Sequence, residues 1–265
     1  MNVIFHADDM GLSRESDVFF YDCIENGNCT SVSLLANGAN FTEAADFLKQ
    51  HPEVSVSVHL NVVEGKPLTR PEKRAEPFIN EDNFFSCGFL GLWKTMLCSK
   101  ESSKEWLFNE METQVERIRT KLGGARKISV DGHVHIHMLP PILKQLPVFC
   151  DKFGLDSMRI PREPIDESVV KHLGNLGLVK NLVLNTLALQ STPLKSRSDC
   201  VVGVLNTGKM TKGSLIEDLK KCHHYNDVEV ILHPAYIRNG LRFYANPHRL
   251  VEAALFKDKD LENAR

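Results

Sequence analysis

Residues 126–140 read Arg126-Lys127-Ile128-Ser129-Val130-Asp131-Gly132-His133-Val134-His135-Ile136-His137-Met138-Leu139-Pro140. Asp131, His133, His135 and His137 share one parity, and the apolar Ile128, Val130, Val134 and Ile136 share the other. Alternate side chains of a β-strand face the same way. The spacing therefore predicts a strand over 127–136 with one apolar face and one face of carboxylate and imidazoles. Imidazoles buried without partners cost free energy, so three of them beside a carboxylate suggest a divalent-metal site. Same-face neighbours lie ~6.6 Å apart along a strand. One ion then takes one of these histidines readily, two with difficulty and three hardly, and which of them binds is left open.

Outward from this segment, apolar strand-like runs alternate with stretches of helical period. Strands are expected at 2–7, 30–37, 54–61, 127–136, 156–161, 181–187, 200–205 and 228–233. Helices are expected at Arg14–Asn26, Phe41–Gln50, Ser103–Leu122, Pro141–Phe153, Asp166–Leu176 and Ser214–Cys222. Ser13 can cap the first helix, Gly27 follows it, and Gly123-Gly124 stops the long one. Such alternation implies an α/β fold with a mostly parallel sheet. Seven or eight units suggest a closed or nearly closed TIM-like (β/α) barrel, read as one domain over 1–265. Residues 70–102 break the period and carry Phe78, Phe84, Phe85, Phe89 and Trp93. They read either as an aromatic lid or as short irregular helices packing those rings on the barrel.

A formal charge of −2 gives no reason to expect nucleic acid or an anionic membrane as partner. No run approaches the ~18 apolar residues of a membrane span, and residues 2–5 enter a strand without a leader pattern. Seven irregularly spaced cysteines without a Cys-x-x-Cys pair fit a reducing compartment, so a cytoplasmic protein is expected. A homodimer is compatible with all of this.

In parallel α/β folds the reactive groups collect at the carboxyl ends of strands. Four predicted strand ends carry them: His6-Ala7-Asp8-Asp9, then Val58-His59, the run from Asp131 to His137, and Leu232-His233. Each has a plain structural reading, as a helix cap or a hydrogen-bonded histidine. Their coincidence at one edge favours a site.

The motifs that carry a family resemblance follow in chain order. They are Ala7-Asp8-Asp9-Met10-Gly11-Leu12-Ser13, residues 30–38, His59-Leu60-Asn61 with Gly65-Lys66-Pro67-Leu68-Thr69, Asp131 to Pro140, Met158 to Glu163, and Glu229 to Pro234. Together they resemble the YdjC-like (ChbG) carbohydrate deacetylases over nearly the whole chain. The resemblance implies a distorted β/α barrel and a metal-dependent hydrolase that removes N-acetyl groups from chitooligosaccharides and related amino sugars. By resemblance Asp9, His59 and His133 hold the metal, Asp8 is the general base, His233 the general acid, and Arg159 keeps Asp8 ionised. The ion by resemblance is magnesium, while the ligand types suit zinc almost as well. Asn61, His135 and Trp93 are the candidate substrate contacts. Met10 and Ala235 stand where the family commonly has Phe and Gly. The competing readings are a metal hydrolase acting on another bond, such as a phosphoester, and an inactive sugar- or metal-binding protein.

Overall fold

The computed structural model describes residues 1–124, 126–164, 176–189, 195–238 and 244–262. In chain order it forms β1 (Asn2–Met10), α1 (Arg14–Glu25), β2 (Ser31–Leu34), α2 (Phe41–Gln50), β3 (Ser55–Leu60), α3 (Gly88–Cys98), α4 (Glu101–Leu122) and β4 (Ile128–Gly132). There follow α5 (Pro140–Leu143), α6 (Leu146–Phe153), α7 (Leu176–Ala188), β5 (Cys200–Val202), α8 (Lys212–Lys221), β6 (Asp227–Leu232), α9 (His248–Leu255) and α10 (Lys259–Glu262).

The strands form one parallel sheet in the order β4-β3-β2-β1-β6-β5. Its two edges are linked through residues 156–162. The Asp156 and Arg159 amides donate to Ile128 and Val130 of β4, and the Val201 amide of β5 donates to Arg162. Six strands among the described residues therefore replace the seven or eight expected. Residues 156–161 contribute only isolated bridges at Met158.

β1 to β4 and the first half of β6 alternate apolar and polar residues, and both parities are largely buried, whereas β5 is wholly apolar. Phe5, Val32, Val56, Val58, Val130 and Val230 join the apolar core that the helices cover. The other parity is polar and also buried: His6 and Asp8, Ser31 and Ser33, Ser57 and His59, Asp131, and Glu229. The sheet curls around this polar face. The Arg197 guanidinium alone reaches Ser57 of β3, Ser129 and Asp131 of β4, and Glu229 of β6. A flat sheet would hold β3 and β6 three strand spacings apart, ~14 Å.

Helix ends follow their sequence signals. Ser13 and Ser16 form a reciprocal cap on α1, and Thr211 and Ser214 form one on α8. The face of α4 marked by Leu107, Met111, Val115, Ile118 and Leu122 is buried at helical spacing.

Several expectations are corrected. Residues 181–187 belong to helix α7, because a short apolar run does not distinguish a buried strand from a helix. The expected helix over 166–176 lies almost wholly outside the described residues. The stretch 141–153 is two helices, broken at Lys144-Gln145. Within 70–102, α3 is helical, and Phe78 and Phe85 pack on Trp106 of α4, each with ring centroids 6.4 Å away. For those two rings the packing alternative holds. Among the described residues no helix is long and apolar enough to cross a membrane.

Candidate active site

The expected strand of histidines ends at Gly132. From His133 to Met138 the chain turns as a tight 3-10 segment, with Val134 at φ 47° and His135 at φ 64°. These left-handed conformations are uncommon for non-glycine residues and an outlier for a β-branched one. The turn folds back onto Gly132. A Cβ there would lie 3.0 Å from the His137 amide nitrogen and from Ile136 Cγ1. Gly132 itself is extended and ends β4, so the trace this leaves in the sequence is a strand glycine that admits a close backbone approach. Because of the turn the three imidazoles separate instead of sharing a face. His133 points to Asp9 (Nδ1 to Oδ1 2.8 Å), and His137 Nε2 donates to the Arg159 carbonyl at 3.0 Å. His135 is buried with its Nδ1 lacking a hydrogen-bond partner.

Asp8 and Asp9 diverge for a backbone reason. Ala7 pairs with Val32 and Met10 with Leu34, so β1 holds one residue more than β2 between these pairs. That β-bulge places Asp9 at φ 79°. Asp9 turns toward His59 and His133, with its Oδ1 3.3 Å from His59 Nε2. Asp8 stays on the inward face, where Arg159 grips it with both terminal nitrogens at 2.9 and 2.7 Å. His59 and Asp131 are cross-strand partners in the β3–β4 register, which brings His59 Nδ1 to 2.7 Å from Asp131 Oδ1.

Asp9, His59 and His133 each offer a ligand atom within 4.8 Å of the others, all buried. Asp9 Oδ2 is buried without a partner, as a coordinating oxygen would be before an ion arrives. Charge points the same way. The four buried carboxylates Asp8, Asp9, Asp131 and Glu229 outnumber the guanidiniums of Arg159 and Arg197 by two, and among the described residues Asp9 meets only the imidazoles of His59 and His133, so a divalent cation there would take the place of two imidazolium protons. The set therefore fits an ion. Burial disfavours charged imidazoles, yet Asp131 and Asp9 outweigh it and push His59 up to about 10; Asp9 likewise takes His133 up to about 9. A second cluster, His6, Asp8 and Asp131, is also close enough. Its groups are already taken. Both His6 nitrogens sit 2.7 Å from the hydroxyls of Ser31 and Ser33, and Arg159 occupies Asp8.

Arg159 also donates to Glu229 at 2.8 Å. Burial opposes ionisation of Asp8, but the adjacent guanidinium holds its carboxyl well below the usual range. His233 lies across from Asp8, Nε2 to Oδ2 3.9 Å, with its Nδ1 3.6 Å from Glu252. Glu252 on α9 also accepts the His233 amide at 2.8 Å, and Arg249 donates to its carbonyl. Ala235 is not among the residues of positive φ, so its replacement of glycine brings no strain.

The three expected substrate contacts differ. The Asn61 side chain is spent on its own loop: its amide donates to Glu64 O and Asn37 Oδ1, and its oxygen accepts from the amides of Val63 and Glu64. Trp93 is half-buried on α3. Four residues earlier Phe89 lines an apolar groove of about 290 Å³ with Val134, Lys180 and Leu184. His135 follows Val134 directly. Sequence reading had assigned no role to Glu229, Arg197, Glu64, Tyr244 or Glu252. Glu229 did betray itself as a charge inside an apolar strand; Arg197, Glu64 and Tyr244 lie on loops and left no periodic signal, and Glu252 lies on α9, where no helix had been expected.

The residues that converge here come from motifs scattered over the chain, and the chain is similar to known proteins over much of its length. A carbohydrate deacetylase of Danio rerio is 29% identical over 164 residues, 62% of this chain and 51% of that protein. A chitooligosaccharide deacetylase of Citrobacter koseri is 30% identical over 164 residues, 62% of this chain and 60% of that one. The chain thus matches little more than half the length of these curated relatives. The fold is similar to that of a solved protein from Enterococcus faecalis V583, provisionally named for cellobiose-phosphate cleavage. That similarity has a TM-score of 0.76 at 18% identity, over 99% of this chain and 93% of the other. The family model for YdjC-like protein matches residues 2–264, and by that match the chain belongs to the YdjC-like family.

Proposed function

We propose that this protein is a divalent-metal-dependent hydrolase that removes the N-acetyl group from short N-acetylated amino sugars, releasing acetate. One observation carries the reading. The bulge in β1 sends Asp9 to a two-histidine cluster and leaves Asp8 between Arg159 and His233, so a metal set and an acid–base pair adjoin. The names of the deacetylase relatives support the substrate class.

Asp9, His59 and His133 would hold the ion, which supplies Lewis acidity toward the acetyl carbonyl and acidifies water. Asp8 accepts the water proton during attack, and Arg159 guarantees that it is ionised. His233, backed by Glu252, delivers a proton to the departing amine, without which the C–N bond would have to expel a very poor leaving group. The Phe89 groove offers an apolar wall for one face of a sugar ring, and Trp93 lies one helical turn further along α3.

The test is acetate release from N,N′-diacetylchitobiose by protein stripped with a chelator and then reloaded with Mg²⁺ or Zn²⁺. Stoichiometric acetate that vanishes on chelation and returns with metal is expected. Metal-loaded protein that binds the sugar without releasing acetate, or that instead liberates phosphate from a sugar phosphate, overturns the reading.

A further inference from the structure

The two histidines of the cluster are presented in opposite senses, and each has a carboxylate on its far nitrogen. His59 turns Nε2 to Asp9 and gives Nδ1 to Asp131, at 2.7 Å. His133 turns Nδ1 to Asp9 and places Nε2 3.1 Å from Glu64 Oε2. The two nitrogens of an imidazole point away from each other, so an ion beside Asp9 and Nδ1 cannot also meet Glu64 through the same ring. We propose that Glu64 is the positioning carboxylate of His133. It accepts the Nε2 proton and so would leave the Nδ1 lone pair free for an ion shared with Asp9, as Asp131 would in mirror fashion for His59. The inference rests on the metal-site reading above.

Glu64 is itself fixed from several sides. The Tyr244 hydroxyl donates to Glu64 Oε2 at 3.0 Å. Asn61 binds the Glu64 amide and carbonyl, and Asn37 donates to the same carbonyl at 3.1 Å. Asn61 is clamped in turn by Gln114 of α4, which accepts from its amide at 2.9 Å and donates to its carbonyl at 2.8 Å. Glu110, one turn earlier on α4, takes the amides of Leu68 and Thr69. The buried polar stripe of α4 thus holds both ends of the loop that carries Glu64. This gives Asn61 a positioning duty in place of direct substrate contact.

The experiment compares wild type, Glu64→Gln and Glu64→Ala in Zn²⁺ affinity by competition with a chromophoric chelator. The ring proton on His133 Nε2 is followed in ¹⁵N-histidine protein, with and without Zn²⁺. Glu64→Ala should weaken Zn²⁺ about 10–100-fold and lose the protected Nε2 proton. Glu64→Gln, whose carbonyl can still accept that proton, should recover much of both. Unchanged affinity and an unchanged Nε2 signal in Glu64→Ala would overturn the assignment. So would a loss as deep as that of Asp9→Asn without recovery in Gln, which would make Glu64 a ligand. A wild type with the Glu64-dependent Nε2 proton but no Zn²⁺ binding would instead remove the metal reading and leave the positioning contact standing.

Discussion

Replacing Arg159 by Met tests how the buried charges are balanced. Arg159 is fully buried, donates twice to Asp8 and once to Glu229, and lies 3.2 Å from Asp131. Arg197 still reaches Asp131 and Glu229 when Arg159 is gone, so the variant leaves chiefly Asp8 without its guanidinium. Breaking one buried pair costs about 3–5 kcal/mol, which for a chain of this size lowers Tm by roughly 6–20 °C. The pH dependence has a definite sign. In the wild type Asp8 is held well below its ordinary value near 3.8, so its contribution to stability is present above that value and is lost as pH falls through the folded-state pKa. The gap between variant and wild type should therefore be widest near neutrality and narrow below pH ~4. Differential scanning calorimetry from pH 3 to 8 reads it directly. A Tm within about 2 °C of wild type at pH 7, less than one kcal/mol, or a gap that widens in acid, refutes the ledger of charges drawn above.

Three further outcomes are expected. Asp8→Asn should keep the metal and lose ~10²–10⁴-fold in kcat, whereas Asp9→Asn should lose metal affinity itself; equal metal loss in both, by equilibrium dialysis, contradicts the division set by the bulge. His137 is buried, and burial lowers it to about 4, with its Nε2 proton on the Arg159 carbonyl. The unfolded chain therefore gains a proton near 6.5 that the folded protein refuses until about 4, and stability should decline across that window by on the order of 3 kcal/mol. Urea titrations of His137→Asn should show a shallower decline, and an identical slope would exclude His137 as its source. Met111→Ala, on the buried face of α4, should cost about 2–5 kcal/mol in urea unfolding; a cost below about 0.5 kcal/mol, as for a surface site, would mean that α4 does not seal the core as described.

The alternation in β3 and β4 was legible, and with it the polar parity that became the inner face at Ser57, His59 and Asp131, as was the strand-end place of Asp8. So were the caps at Ser13 and the apolar stripe of α4. Two misreadings share one cause. The polar–apolar alternation over 133–137 fits a strand, but the chain reverses at Val134 and His135 and folds back on Gly132, which has no Cβ to block it, and tertiary packing selected that turn. The apolar run 181–187 likewise fits a strand or a helix until its neighbours are known.

What the residues determined unaided is the inventory and its parity: which carboxylates and imidazoles sit at strand ends, and on which side of the pleat. These follow from a two-residue period that any local segment carries. Which nitrogen of His133 faces Asp9, how Asp8 and Asp9 part company, and that Glu64, Arg197 and Glu252 stand behind them were decided only by the folded chain. Those contacts join residues 19 to 140 positions apart. They depend on one extra residue in β1, two left-handed residues after Gly132, and the curl of the sheet. Backbone conformations of that kind are stabilised by the packing around them and leave no periodic trace in sequence.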